Sequence, residues 1–195
     1  MPQLHIIIAK IGSGFSYVAD ELEKALVDKH SDSNKVAQVG NGGMKQWKRF
    51  IQNPDGSSPS RAVLSFVSER FPTFVSLNPE VEDLVLSGPV VMMNLDAIIR
   101  DYPGSILYFI DRVSSEELSN QASNFYANNP TNDDDAWNAL NAAINDAYDS
   151  AESTHGPSMQ VYKNFFWDLD EEAIVVEPSE KTTLSYLKRV GIVTL

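Results

Sequence analysis

The segment Leu4-His5-Ile6-Ile7-Ile8-Ala9 is a short Ile-rich apolar run that breaks at Gly12-Ser13-Gly14. Such a run fits a strand buried on both faces, the kind found inside parallel sheets. After the glycines the period changes. Val18, Leu22, Ala25 and Leu26 recur at helical spacing, with Asp20, Glu21 and Glu23 set among them, which is the pattern of an amphipathic helix. A buried strand, a glycine turn and a helix in this order open an α/β domain, and ligands of such domains bind beyond the carboxyl ends of the strands. The turn is therefore the expected functional end.

The alternation continues along the chain. Lys35–Val39, Pro89–Leu95, Ser105–Ile110 and Ala173–Val176 read as strands. Helical spacing is expected at Met44, Trp47 and Phe50, and at Val63, Phe66 and Val67 before Pro72. Further helices are expected over Pro79–Leu86, from Ser114, and along Trp137, Leu140, Ile144 and Tyr148. A last helix is expected from a Ser179 cap through Leu184, Leu187 and Val190 to Gly191. Asn53–Ser60, Asn124–Asp135 and Ser150–Ser158 read as loops. The fold expected from this is a three-layer parallel sheet with flanking helices. With 195 residues, one α/β domain over 1–195 is expected, with a lid or insertion near 113–162.

Charge limits the partners. The net charge is −12, and it is uneven: residues 113–195 hold four Lys or Arg against fourteen Asp or Glu. An acidic surface repels duplex nucleic acid and anionic membrane. A protein partner for the acidic second half is compatible with it. The chain has no cysteine, so disulfides, thiolate zinc sites and cysteine nucleophiles are excluded. A cytoplasmic setting is expected. No stretch approaches the roughly 18 apolar residues of a membrane span.

The chemistry concentrates in Ala9-Lys10-Ile11-Gly12-Ser13-Gly14-Phe15-Ser16. Glycines between a strand and a helix let backbone N–H groups face an anion, and the helix start adds partial positive charge. Ser16 sits where a hydroxyl reaches a phosphate-bound Mg²⁺. Against the phosphate-loop pattern G-x-x-x-x-G-K-[ST], Gly14 and Ser16 match, whereas Ala9 replaces the first glycine and Phe15 the lysine. The same glycines would also serve a plain tight turn between strand and helix. A dinucleotide site is disfavoured by Tyr17 at the third glycine position.

Asp96 with Arg100, and Asp111 with Arg112, are expected on the same rim as the turn. Lys45, Lys48 and Arg49 form a basic patch, readable as a phosphate contact or as the solvated face of a helix burying Trp47 and Phe50. His5, His30 and His155 lack metal-ligand spacing. Asp133–Asp135 lacks the glycine and the final Glu of a calcium loop. Asp168, Asp170, Glu171 and Glu172 read as a solvated strand entry.

In the order of these features the chain resembles the nucleoside monophosphate kinases, within them the cytidylate kinase-like group, and so a P-loop kinase-like fold. Gly12-Ser13-Gly14-Phe15 is similar to that group's loop, and Gly42-Gly43-Met44 with the basic patch is similar to its acceptor region. Val90–Asp96 with Arg100, Tyr102–Ile110, Ile174–Val176 and the last helix extend the likeness. The resemblance implies ATP phosphates on Gly12, Ser13, Gly14 and Ser16, with Mg²⁺ near Ser16 and Asp96. It implies acceptor phosphate on Lys45, Lys48, Arg49 and Arg100, and catalysis by Lys10, Asp96, Arg100 and Arg112. Lys10 would stand in for the missing loop lysine.

Two departures divide the functional expectation. Phe15 carries no charge, and the lid region 113–162 holds no Lys or Arg, although transfer relies on positioning and charge neutralisation. One expectation is a phosphotransferase moving phosphate from ATP to a nucleoside or nucleotide. The other is a catalytically silent protein of the same fold, acting as a nucleotide-binding or protein-interaction module.

Overall fold

A computed structural model describes residues 1–39, 71–112, 134–162 and 187–195. Strand β1 (Gln3–Ala9) lies inside a six-stranded sheet. The other strands are β2 (Val36–Val39), β3 (Asp83–Leu86), β4 (Ile106–Arg112), β5 (Gln160–Tyr162) and β6 (Leu187–Thr194). Their spatial order is β2-β3-β1-β4-β6-β5. The first four in that order run parallel, with Ile6 level with Leu86 of β3 and Leu107 of β4. β6 runs antiparallel to both β4 and β5. The sheet is therefore mostly parallel, as the sequence predicts, with antiparallel pairing added at the β6 and β5 end.

Helices cover both faces. Helix α1 (Phe15–His30) follows β1, and α2 (Phe71–Leu77) precedes β3. α3 (Pro89–Met93) and α4 (Leu95–Asp101) link β3 to β4, and α5 (Asp134–His155) follows β4. Alternation along β1 sorts the core. Ile7 and Ala9 face Phe15, Val18, Ala19, Leu22 and Leu26 of α1. Leu4, Ile6 and Ile8 face the other way, into a cluster with Val91, Leu95 and Ile98 and with Leu140, Ile144 and Tyr148 of α5. Apolar side chains on successive strand positions thus close two cores at once, which explains why β1 is apolar at nearly every position.

Several elements depart from expectation. The stretch 79–86 is not a helix. Its apolar end, Asp83–Leu86, is short enough to be a strand and is buried between β1 and β2. The stretch 89–95 is not a strand. Pro89 opens a helix after Gly88, where a proline loses no hydrogen bond. Pro72 lies within α2 rather than beyond a helix end. α5 continues through Ser150 to His155 instead of ending in a loop. Leu187–Thr194 is a strand, so the last expected helix does not extend to Gly191.

Gly191 has a packing role inside β6. A Cβ there would lie 2.0 Å from Met159 Sδ. The readings at Met44–Phe50, Asn53–Ser60, Val63–Val67, Ser114, Asn124–Asp133, Asp168–Glu172, Ala173–Val176 and Ser179 lie outside the described residues. Among the described residues, no helix is long and apolar enough to cross a membrane.

Candidate functional site

The connections leaving β1 and β3 diverge. β1 leads through α1 to β2, past β3, while β3 leads through α3 and α4 to β4, past β1. By topology the carboxyl ends of these two neighbours form the switch-point crevice of the sheet, the place where open α/β sheets bind ligands. Two short segments border it: the turn 10–16 and Ser87-Gly88.

The turn is built by Lys10 and the glycines. The Lys10 carbonyl accepts the Ser13 backbone N–H at 3.2 Å and the Ser13 hydroxyl at 2.6 Å. Ser13 is buried, and its side chain serves the turn itself. Gly12 has φ 87° and Gly14 has φ 81°, ψ 31°. Both lie in the region that side chains with a Cβ avoid. Gly14 in the left-handed conformation followed by helical Phe15 is a backbone pair that makes a concave, anion-attracting nest. The first helical turn adds the donors that a helix start leaves without intrahelical partners.

Phe15 points away from the crevice. Its side chain is buried in the α1-side core beside Ile7, Ala9 and Ile110. The position that carries lysine in phosphate loops is here a packing position. Ser16 is exposed on the first turn of α1. Lys10 leaves β1 toward α5, where Nζ lies 3.0 Å from Asp149 Oδ1 and 5.0 Å from the centre of the Tyr148 ring.

Ser87 follows β3 directly. Its backbone N–H still donates to the Val39 carbonyl of β2 at 3.3 Å. Asp83 and Val85 face α1 while Leu84 and Leu86 face away, so alternation carries Ser87 to the α1 face of the crevice. The residue is fully buried, and its Oγ has no hydrogen-bond partner among the described residues.

Asp96 lies on α4, whose Leu95 and Ile98 pack on the α5 side of the sheet. Ser16 starts the helix on the opposite face. With 89–95 helical, Asp96 and Arg100 do not stand at a strand's carboxyl end. Arg100 pairs with the neighbouring Asp101. Two residues on, Tyr102 reaches the amino edge of the sheet, where Gly104 accepts from the Gln3 amide at 2.7 Å. Arg112 ends β4, with a side chain outside the described set, as are Lys45, Lys48 and Arg49. Among the described residues, no group of three or more His, Asp or Glu is arranged to hold a metal ion.

A second polar constellation lies at the amino edge, under the end of α1. His5 Nε2 lies 2.7 Å from Asp83 Oδ1, and His5 Nδ1 lies 2.9 Å from Tyr108 Oη. His30, the last residue of α1, bonds Asp83 Oδ2 through Nε2. An ionised carboxylate only accepts, so both imidazoles donate to Asp83 through Nε2. In a neutral His5 ring, Nδ1 then accepts from the Tyr108 hydroxyl.

Burial pushes the Asp83 carboxyl upward. The hydrogen bonds from His5 and His30, and then their charge, outweigh burial and bring it down to about 2. Burial, and then the charge of Asp83, push the Tyr108 hydroxyl well above its ordinary value, so it stays protonated. This array ties three adjacent strands to the end of α1. Glu82 joins its outer side, paired with Lys35 and 3.7 Å from His30 Nδ1.

Sequence reasoning names His5 and His30 but not Asp83 or Tyr108. A histidine inside an apolar strand is itself a signal, because buried polar groups require partners. No family model, curated protein or solved structure matches the chain.

Proposed function

We propose that the chain binds a nucleotide phosphate at the glycine turn and does not transfer it: a catalytically silent nucleotide-binding protein of the α/β class. The observation that carries this reading is the division of labour around the turn. Gly12, Gly14 and the start of α1 form a backbone cradle at a switch point. Phe15, at the position where phosphate loops carry their lysine, is committed to the core.

A backbone nest and a helix start suffice to hold an anion. Transfer asks for more. Removing one donor from a charge-stabilising site costs roughly 10²–10³ in rate, and a missing arginine finger costs about 10³–10⁵. Asp96, which the resemblance assigns to metal and catalysis, lies on α4, whose Leu95 and Ile98 pack on the sheet face opposite α1, and Arg100 pairs with Asp101.

Thermal unfolding with ATP, with and without Mg²⁺, tests binding. Ligand at 100 times Kd adds about 2.7 kcal/mol, a rise of several degrees in Tm for a domain of this size. No rise at millimolar ATP removes the binding claim. Transfer of label from γ-labelled ATP to any member of a nucleoside and nucleotide panel removes the silent claim and restores the phosphotransferase.

A further inference from the structure

Lys10 belongs to two structures at once. Its carbonyl holds the glycine turn through Ser13. Its side chain is held by α5, where the adjacent residues Tyr148 and Asp149 offer a ring face and a carboxylate. The Lys10 side chain is 30% exposed and that of Asp149 63%. Ion pairs so open to water are weak and exchange readily. A phosphate carries more charge than a carboxylate and offers several strong acceptor oxygens.

Ser87 gives an independent sign of a ligand at this crevice. It is a fully buried hydroxyl on the α1 face without a hydrogen-bond partner among the described residues. Buried polar groups are otherwise nearly always paired. Ser87 follows β3, and the α1 start follows the neighbouring β1 through the turn that Lys10 opens.

We infer that Asp149 sets the phosphate affinity of the turn by competing for Lys10: a bound phosphate takes the Lys10 ammonium from the Asp149 carboxylate, exchanging one ion pair for another. Asp149 is then an affinity-determining residue that need not touch the ligand, and α5 is coupled to the occupancy of the turn. The inference rests on the nucleotide-binding reading above.

Calorimetric titration with ATP at low salt tests it on the full chain. Asp149→Asn tightens ATP about two- to fivefold, the range expected for releasing an exposed pair. Asp146→Asn removes the same charge from an exposed position of α5 and leaves Kd unchanged. In a Lys10→Ala background, adding Asp149→Asn has no further effect. If Asp149→Asn binds like the parent, or tightens ATP equally without Lys10, the inference is wrong while the nucleotide reading stands. If neither parent nor variant binds millimolar ATP, both fall. Circular dichroism and Tm confirm that the variants at Lys10, Asp146 and Asp149 remain folded.

Discussion

His5 and Asp83 meet across 2.7 Å between neighbouring strands, Nε2 to Oδ1, with less than a tenth of either residue exposed. The pair is the centre of a chain that continues to Tyr108 on one side and His30 on the other. One carboxylate therefore satisfies two imidazoles, and through one of them a phenol.

Asp83→Ala leaves both imidazoles facing an empty acceptor position. Breaking a buried charged pair from one side costs about 3–5 kcal/mol. Urea unfolding of this variant shows a loss in that range, with the slope preserved. Asp83→Asn keeps one acceptor oxygen and loses less. A change under about 0.5 kcal/mol for the alanine variant, the size typical of a neutral surface site, contradicts the role assigned to the array.

The same carboxylate gives the fold an acid-sensitive component. Its pKa is about 2 in the folded chain against an ordinary 3.8. A lowered folded value contributes stability above the unfolded pKa and loses it as pH falls through the folded one. The contribution is about 2 kcal/mol. Parent stability should fall between pH 4 and pH 2 more steeply than that of Asp83→Asn. Parallel curves through that window overturn this account.

Phe15→Lys restores the phosphate-loop lysine in sequence and damages the protein in structure. The residue is 9% exposed and belongs to the same core cluster as Ile7, Ala9 and Ile110. Losing a buried Phe costs about 3–5 kcal/mol, and a buried ammonium adds its own desolvation. Tm falls by ten degrees or more on the scale of roughly 2–4 °C per kcal/mol, without gain of transfer activity. A stable variant with new transferase activity contradicts the commitment of Phe15 to the core.

Gly191→Ala places a methyl carbon against Met159, 2.0 Å from Sδ and 2.6 Å from Cγ. Overpacking of this kind typically costs about 1–3 kcal/mol. Met159→Ala in the same chain removes the clash, so the double variant is more stable than the sum of the two single effects implies. Additive losses rule out Met159 as the constraint.

The opening of the fold is legible because its signals are long and change period sharply: Leu4–Ala9 and then Val18 to Leu26. Short apolar runs are where reading fails, since a strand and a buried helix segment look alike over four to seven residues. Leu84–Leu86 and Val90–Met92 exchange identities for that reason. The error then spreads to chemistry, because Asp96 and Arg100 take their expected rim position from a strand that is a helix. Gly191 is read by a local rule as a helix stop, whereas its cause is Met159, far away in sequence.

Lys10 is recognisable beside the turn. Its partner Asp149 is not, because no spacing joins a residue after β1 to one late in α5. Asp83 lies 78 residues from His5, and only the β1–β3 register brings them together.

β6 fills the place between β4 and β5, and among the described residues β4 has no other neighbour on that side. During synthesis β4 is complete at Arg112, but the strand that covers its outer edge begins only at Leu187. Until then a nascent chain exposes a row of unpaired backbone groups on one of its most apolar strands, and such edges recruit other chains. Late closure makes folding slow relative to a domain with local pairings. It also makes the interval between residues 112 and 194 the period in which a ribosome-bound chain most needs a chaperone.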